Sequence, residues 1–507
     1  MILHIDGEIN KYYVQTLLMV FFPGSTFGEN EEHREDIPEA WVNVYADREG
    51  AYTAYVRIQL NDRVCEATET VSGKEEISIS THASLAVGRA IFAAGKELLG
   101  YIPPWGILTG IRPAKMAGAL LAQGKGILRS KRILRDEYFL APQKAALAVS
   151  VASMENKILK KIPPNACSVY ISIPFCPSRC SYCSFVSYTN AKLLSLIDEY
   201  LEAICEDINH TFSVISELDM QVLTVYIGGG TPTILSVSQI KKLLSCIQKN
   251  IDTNTLMEFT LEAGRPDTIT KEKLAIAKEY GITRISVNPQ TLNDGILKAI
   301  GRRHTVEDFY KAFEIAKESG IRDINVDLIA GLPGDDFKNF SETMDRIVDL
   351  APTNITVHTF CVKKAADVLK KNADVYSLTG GDASKSVFYS QLKTKFKGYK
   401  PYYMYRQKNT VGNLENVGFS LEGHEGLYNI FMMEETQPIF AIGAGAVTKL
   451  VRSTEADRGG TRIERIFRPK YPYEFLRLAK KSANEDADAP KALYRKKILD
   501  FYGITDK

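Results

Sequence analysis

The spacing of apolar residues changes several times along the chain. Residues 41–45 and 52–58 alternate apolar and polar with period two, as in strands with one buried face, and residues 83–99 repeat apolar positions at helical spacing. These elements predict an α+β domain. Residues 115–161 have helical, Leu- and Lys-rich composition and end at Pro163-Pro164, where the first boundary is placed. Beyond it, β-rich runs at 169–173, 223–227, 258–261, 284–287, 323–329 and 355–360 alternate with amphipathic stretches at 192–218, 238–249, 271–280, 306–319 and 337–350. Six strands alternating with helices predict a parallel sheet that can curl into a partial or full barrel, with its chemistry at the C-terminal strand ends. The last third is less regular. It holds a Tyr- and Lys-rich stretch at 393–408, a Gly-containing apolar run at 439–447 and a charged tail of helical character at 470–507.

Composition narrows the class. The 507 residues, 45% hydrophobic and 24% charged, are globular in character and long enough for two or three domains. With 63 Lys and Arg against 61 Asp and Glu, the net charge of +2 argues against a global grip on nucleic acid, though a local basic patch stays open. The apolar stretch 17–22 is far short of a membrane span, and Asp6 and Glu8 interrupt any signal-like start, so a soluble, cytosolic protein is expected. Eight cysteines are too dilute for a disulfide framework, yet Cys176, Cys180 and Cys183 fall within eight positions. Cys65, Cys167, Cys205 and Cys246 have no partner spacing and read as small buried hydrophobes.

The triplet lies in a C-x3-C-x2-C text on the loop after the first strand of the alternating series. Thiolates are soft ligands for iron-sulfur clusters or zinc. Zinc ribbons normally pair two Cys-x2-Cys knuckles, and only one triplet is present. Three ligands on a four-iron cluster leave one iron open to bind a small molecule. The turn Gly228-Gly229-Gly230-Thr231-Pro232-Thr233 follows the second strand, and glycines there let backbone groups approach a ligand closely. Glu262, Gln290, Arg302 and Asp327 fall at or just beyond successive strand ends. Singly each would be a surface group; together they share one mouth, where an arginine fork suits a carboxylate and a carboxylate suits hydroxyls.

With Tyr182 before the last cysteine, this text resembles the signature of radical S-adenosylmethionine (SAM) enzymes. Over about residues 167–451 the chain resembles the oxygen-independent coproporphyrinogen III oxidase (coproporphyrinogen dehydrogenase) family, in its HemZ-type branch, which has a similar N-terminal extension including the stretch 106–113. The resemblance implies an α/β fold: a partial (β/α)6 radical SAM barrel over 164–375, an N-terminal α+β domain with helical linker over 1–163, and a substrate-covering, helical C-terminal region over 376–507. It implies one [4Fe-4S] cluster on Cys176, Cys180 and Cys183, with one or two molecules of SAM. Cofactor contacts are implied for Phe175, Tyr182 and Phe185 around the cysteines, for Gly229, Gly230 and Thr231 at the methionyl amino group, and for the SAM-binding carboxylate Glu262. Gln290 and Asp327 are implied at the ribose, Arg302 at the SAM carboxylate and Cys361 through its backbone, with Tyr170 beside the substrate as the catalytic candidate. The implied activity is radical decarboxylation of coproporphyrinogen III to protoporphyrinogen IX in heme synthesis, with a tetrapyrrole substrate and an electron donor such as flavodoxin or ferredoxin.

The chain departs from the family pattern at three places. Ser172 stands where the best-known oxidases carry His, Phe185 stands where they carry a fourth Cys, and the text after Glu262 is one residue longer before Pro266. Heme-chaperone relatives share the Phe and keep the His. Two other readings therefore stay open: a heme-binding chaperone without decarboxylase activity, and a radical SAM enzyme acting on another tetrapyrrole, such as a heme-degrading methyltransferase. His304, His358 and His424 are undecided between structural and functional roles. The basic and aromatic residues between Lys393 and Lys408 read either as a tetrapyrrole or single-strand binding face or as a solvated face over core tyrosines.

Overall fold

The computed structural model describes residues 1–28, 37–72, 80–110, 112–183, 185, 187–361, 380–407, 410–453, 460–481 and 490–504. The expected boundary at 375/376, Ile111 of the 106–113 stretch and Lys408 lie outside the described residues. The first four strands, β1 (Ile2–Asp6), β2 (Glu39–Ala46), β3 (Tyr52–Leu60) and β4 (Arg63–Val71), form one sheet in that order. Period two in β3 sends Ala54, Val56 and Ile58 into the core beneath the helix His82–Leu99. Thr81 caps that helix by accepting from Ser84 N–H, and Gly100 ends it in the left-handed conformation at φ 63°. Helices Pro113–Ala122, Ile127–Asp136 and Pro142–Leu159 fill the expected linker.

The six expected strands are all present: β5 (Ala166–Ile173), β6 (Gln221–Gly229), β7 (Glu258–Leu261), β8 (Arg284–Ser286), β9 (Asp323–Ala330) and β10 (Asn354–Thr359). They pair in parallel in sequence order. Buried on both faces, they read as nearly continuous apolar runs. Helices Ile197–Glu217, Val237–Gln248, Lys271–Glu279, Val306–Glu318 and Phe337–Asp349 match the expected amphipathic stretches within a few residues. The C-terminal region carries the expected helical content in Gly381–Phe396, Leu427–Glu434, Pro472–Lys481 and Pro490–Tyr502, but it also supplies β11 (Lys400–Arg406), β12 (Glu415–Ser420), β13 (Ile439–Ile442), β14 (Val447–Ser453) and β15 (Thr461–Phe467). These extend the same sheet to eleven strands, β11-β12-β10-β9-β8-β7-β6-β5-β13-β14-β15. β12 is antiparallel on β10 and β13 is parallel on β5, so the two edges that would meet to close a barrel are already paired. The barrel is therefore partial. Among the described residues no helix is long and apolar enough to cross a membrane.

The Tyr- and Lys-rich stretch does not form one face. Tyr402 and Tyr403 are buried against Ile430 and Phe431, while Lys393, Lys397 and Lys400 pair outside with Asp345 (2.6 Å), Asp349 (2.9 Å) and Glu422 (2.8 Å). The tyrosines serve the core and the lysines the surface.

A buried carboxylate ties the N-terminal part to the sheet. Glu415, at the start of β12, accepts from Lys144 Nζ (2.5 Å), Trp105 Nε1 (2.9 Å) and Gln391 Nε2 (2.7 Å), and its side chain is fully buried. Removing one partner of a buried ion pair strands the other charge, at a cost of about 3–5 kcal/mol. Glu415→Leu is expected to lower unfolding stability by that order in chemical denaturation. The double variant Glu415→Leu/Lys144→Met should recover much of the loss.

Candidate functional site

The cysteine loop leaves β5 and folds back on itself. Cys176 N–H donates to Tyr188 O (3.0 Å), Tyr188 N–H to Pro174 O (2.9 Å) and Cys183 N–H to Cys180 O (3.1 Å). Phe175 is buried edge-on against Tyr200 at 5.2 Å. The glycine turn after β6 lies directly on this loop: Gly230 N–H donates to Ile173 O (2.9 Å) and Thr231 N–H to Phe175 O (2.7 Å). A Cβ at residue 230 would sit 2.5 Å from Phe175 O, so only glycine permits the approach.

Cys176 and Cys180 are buried and Cys183 is half-buried. Burial pushes the Cys176 and Cys183 thiols above their usual value, while hydrogen bonds from Thr231 and Ser187 pull Cys176 back. Thr231 Oγ1 donates to Cys176 Sγ at 3.2 Å, and Arg265 Nη1 donates to Cys180 Sγ at 3.5 Å. Three thiols on one loop, with donors aimed at their sulfurs and a cation beside one of them, fit an anionic iron-sulfur cluster.

Of the candidates expected at strand ends, Glu262 and Gln290 follow β7 and β8, but Asp327 lies within β9 and Arg302 between the helices Asp294–Ala299 and Val306–Glu318. Gln290 follows β8 with φ at 71°, a left-handed backbone that a residue with a side chain adopts only under constraint. The constraint is a pair of bonds to β9: its N–H donates to Asp327 O (3.1 Å) and its carbonyl accepts from Ile329 N–H (3.0 Å). Its side-chain Oε1 is buried without a hydrogen-bond partner. Buried acceptors are normally satisfied, so this atom fits a ligand donor. Arg302 is buried as well, and its guanidinium bonds only to neutral oxygens: Tyr182 Oη (3.0 and 3.3 Å), Gly264 O (3.0 Å) and Asn288 O (3.3 Å). Such a cation suits a ligand carboxylate.

Glu262, just past β7, stands near both Arg302 and Asp327. Burial, then the Asp327 charge, push its carboxyl up to about 8, against hydrogen bonds from Gly229 N–H and Tyr226. A Cβ at residue 228 would be 2.6 Å from Glu262 Oε2, so the glycine turn also leaves room for this carboxyl. Burial pushes Asp327 upward, but hydrogen bonds from His358, Asn325 and Thr356 outweigh it and hold the group below its usual range. The two carboxyls are thus driven apart, Glu262 toward its neutral form and Asp327 toward its charged form. Tyr170 on β5 stacks with Tyr226 (6.1 Å) and Tyr428 (6.2 Å), and those two stack at 4.7 Å.

Tyr170, Gly229, Gly230, Thr231, Glu262, Gln290, Arg302 and Asp327 are thus linked by near-neighbour contacts that reach the cysteine loop at Gly230 and Thr231. Tyr182 packs on the small cluster of Ile300, Leu332 and Phe360. Phe185 points outward at 64% exposure, and Cys361 sits in a bridge with Thr410 near Tyr405. Sequence reasoning gave no role to Arg265, Tyr226 or Tyr428. The one signal near any of them is the stretch between Glu262 and Pro266, one residue longer than the family pattern.

The radical SAM superfamily profile matches residues 170–347. The chain is similar to the "Oxygen-independent coproporphyrinogen-III oxidase-like protein HemZ" of Bacillus subtilis (strain 168), 38% identical over 383 residues that cover 74% of this chain and 75% of that protein. It is also similar to the "Heme chaperone HemW" of the same organism, 38% identical over 197 residues covering 39% of this chain and 51% of that one. A solved coproporphyrinogen III oxidase (HemN) from Escherichia coli, titled a radical SAM enzyme, aligns with TM-score 0.47 and 19% identity over 69% of this chain and 83% of that chain. The sheet and the cysteine loop are those of a radical SAM protein, and its cofactors are a [4Fe-4S] cluster and SAM. Within that superfamily the chain belongs to the HemZ-type, oxygen-independent coproporphyrinogen-III-oxidase-like family.

The raised Glu262 carboxyl has a stability consequence. Between its ordinary value of 4.5 and about 8, the folded chain holds a proton that the unfolded chain has released, so this group favours folding fully below 4.5 and progressively less as pH rises to 8. Glu262→Gln is expected to flatten the fall of the apo-protein melting temperature across that window. Paired thermal melts at pH 5 and pH 8 check it.

Proposed function

We propose that the protein catalyses oxygen-independent oxidative decarboxylation of coproporphyrinogen III to protoporphyrinogen IX. The observation that carries this reading is the tyrosine stack of Tyr170, Tyr226 and Tyr428 beside Glu262, built from β5, β6 and the helix Leu427–Glu434. Ring faces make a flat apolar wall that suits a macrocycle, and the Tyr428 hydroxyl, buried without a partner, is left to meet a polar group on it. Cys176, Cys180 and Cys183 would hold the cluster. Gly229, Gly230, Thr231 and Glu262 would receive the methionyl end of SAM, Arg302 its carboxylate, and Gln290 and Asp327 its ribose. Phe175, Tyr182, Phe185 and Cys361 would complete the cofactor surround. When bound, cluster and SAM supply a 5'-deoxyadenosyl radical able to take hydrogen from the propionate carbon next to the ring. Loss of CO2 and transfer of the remaining electron to an external one-electron acceptor would then leave a vinyl group, twice per product, with one SAM cleaved to methionine and 5'-deoxyadenosine each time. Tyr170 would position the propionate, and the open glycine turn would let SAM lie close enough for reaction.

A second reading, a heme-binding chaperone, is favoured by Phe185, an exposed ring where the oxidases carry a fourth cysteine, and by the similarity to the HemW protein. Ser172 does not separate the two readings: oxidases and chaperones both carry a histidine there, whereas this hydroxyl is buried and donates to Ala444 O at 2.8 Å. The two separate in one anaerobic assay, with iron and sulfide reconstituted and SAM, dithionite and coproporphyrinogen III added. Loss of two CO2 with formation of 5'-deoxyadenosine, abolished in Cys180→Ala, is expected. SAM cleavage with the tetrapyrrole mass unchanged would sink the decarboxylase reading and favour heme handling. A gain in mass would indicate methyl transfer to another tetrapyrrole.

A further inference from the structure

Among the described residues, Arg265 is the cation that hydrogen-bonds a cluster cysteine directly. Its guanidinium is buried and fully oriented: Nη2 donates to Ser178 Oγ (2.8 Å), Nη1 to Ser178 O (3.4 Å), and Nε and Nη2 to Asp267 (3.2 and 3.5 Å). The fork so held aims Nη1 at Cys180 Sγ, 3.5 Å away. Ser178 belongs to the cysteine loop itself, so the arginine is locked to the segment whose sulfur it contacts. Arg302 lies close enough to Cys180 to feel its charge, but its own hydrogen bonds are taken by Tyr182 and two carbonyls.

From this geometry we propose that Arg265 and Asp267 together set the reduction potential of the cluster on Cys180, Arg265 raising it and Asp267 limiting the rise. The inference rests on the three cysteines holding a [4Fe-4S] cluster. Reduction brings one electron, from a carrier of the flavodoxin or ferredoxin class, onto a group that is already anionic. A cation and an N–H···S bond at the ligand sulfur stabilise the added charge, and burial keeps solvent and salt from screening it. The Asp267 carboxylate at the far side of the guanidinium withdraws part of that effect. The pair is a positioning and tuning device outside the reacting atoms.

The test is a mediated dithionite titration of the reconstituted protein, followed by the electron paramagnetic resonance signal of the reduced cluster. At the wild-type midpoint, Arg265→Gln is expected to lower the ratio of reduced to oxidised cluster about tenfold, equivalent to about 59 mV for a one-electron couple. Asp267→Asn is expected to shift the ratio the opposite way, and Arg265→Lys, which keeps the charge without the fork, to fall between Gln and wild type. Opposite signs from neighbouring substitutions are not expected from loosened packing. Unchanged midpoints in variants with full iron and sulfide, or shifts of the same sign in both, would overturn the proposal. If Arg265→Gln fails to retain the cluster, Asp267→Asn decides alone: a higher ratio supports the proposal and an equal or lower one overturns it. Wild-type protein that takes up no iron and sulfide would overturn the cluster assignment itself, and this inference with it.

Discussion

The site depends on two backbone hydrogen bonds that fasten the glycine turn after β6 to the end of β5, Gly230 N–H to Ile173 O and Thr231 N–H to Phe175 O. They hold the cysteine loop against the next strand, which brings Thr231 Oγ1 to Cys176 Sγ and leaves the turn open on its other side toward Glu262. Removing the side chains at 228 and 230 is what makes both contacts possible. The parallel pairing of β5 with β6 then extends the same constraint down the sheet to the other strand ends.

The charges of the site follow a second constraint, the scarcity of water at its inner wall. Glu262, just past β7, and Asp327, within β9, lie two strands apart in the sheet with β8 between them. Hydrogen bonds outweigh burial at Asp327, whereas at Glu262 burial and the Asp327 charge outweigh the bonds from Gly229 N–H and Tyr226, so the proton is driven toward Glu262. Arg302 stays cationic among neutral oxygens, and Gln290 keeps an unpaired acceptor on strained backbone. Each of these arrangements is poor for a closed, self-satisfied core. Together they describe a surface completed by a ligand with an amine, a carboxylate and hydroxyls.

Much of this was legible in the text. The six parallel strands and five of their helices were expected within a few residues, because buried parallel strands are short apolar runs and the helices between them are strongly amphipathic. The cysteine triplet and the strand-end residues carried their own spacing. The strands β11–β15 were not separated from the helical character of the last third. β15 is mostly polar and half-exposed, and β13 is a four-residue run whose role as partner to β5 is a long-range pairing. The stretch from Lys393 reads as basic and aromatic in one dimension, but the helix end with its turn at Gly398 keeps Lys393 and Lys397 in surface ion pairs, while the register shift in β11 buries Tyr402 and Tyr403 together. Local spacing cannot display that division when a helix end and a strand meet inside the stretch.

Arg265 marks where such reading stops. In the text it stands in a stretch one residue longer before a proline, and nothing in its neighbours tells a surface arginine from a buried one. Its placement comes from three contacts distant in sequence or in role: Ser178 on the cysteine loop, Asp267 two residues on, and Cys180 itself. A buried arginine is costly without partners. Here one partner is a carboxylate and another a thiol that becomes anionic on ligating iron, so metal loading and arginine burial favour each other. The cysteine spacing specifies the thiols, and Arg265 with Asp267 surrounds one of them with charge.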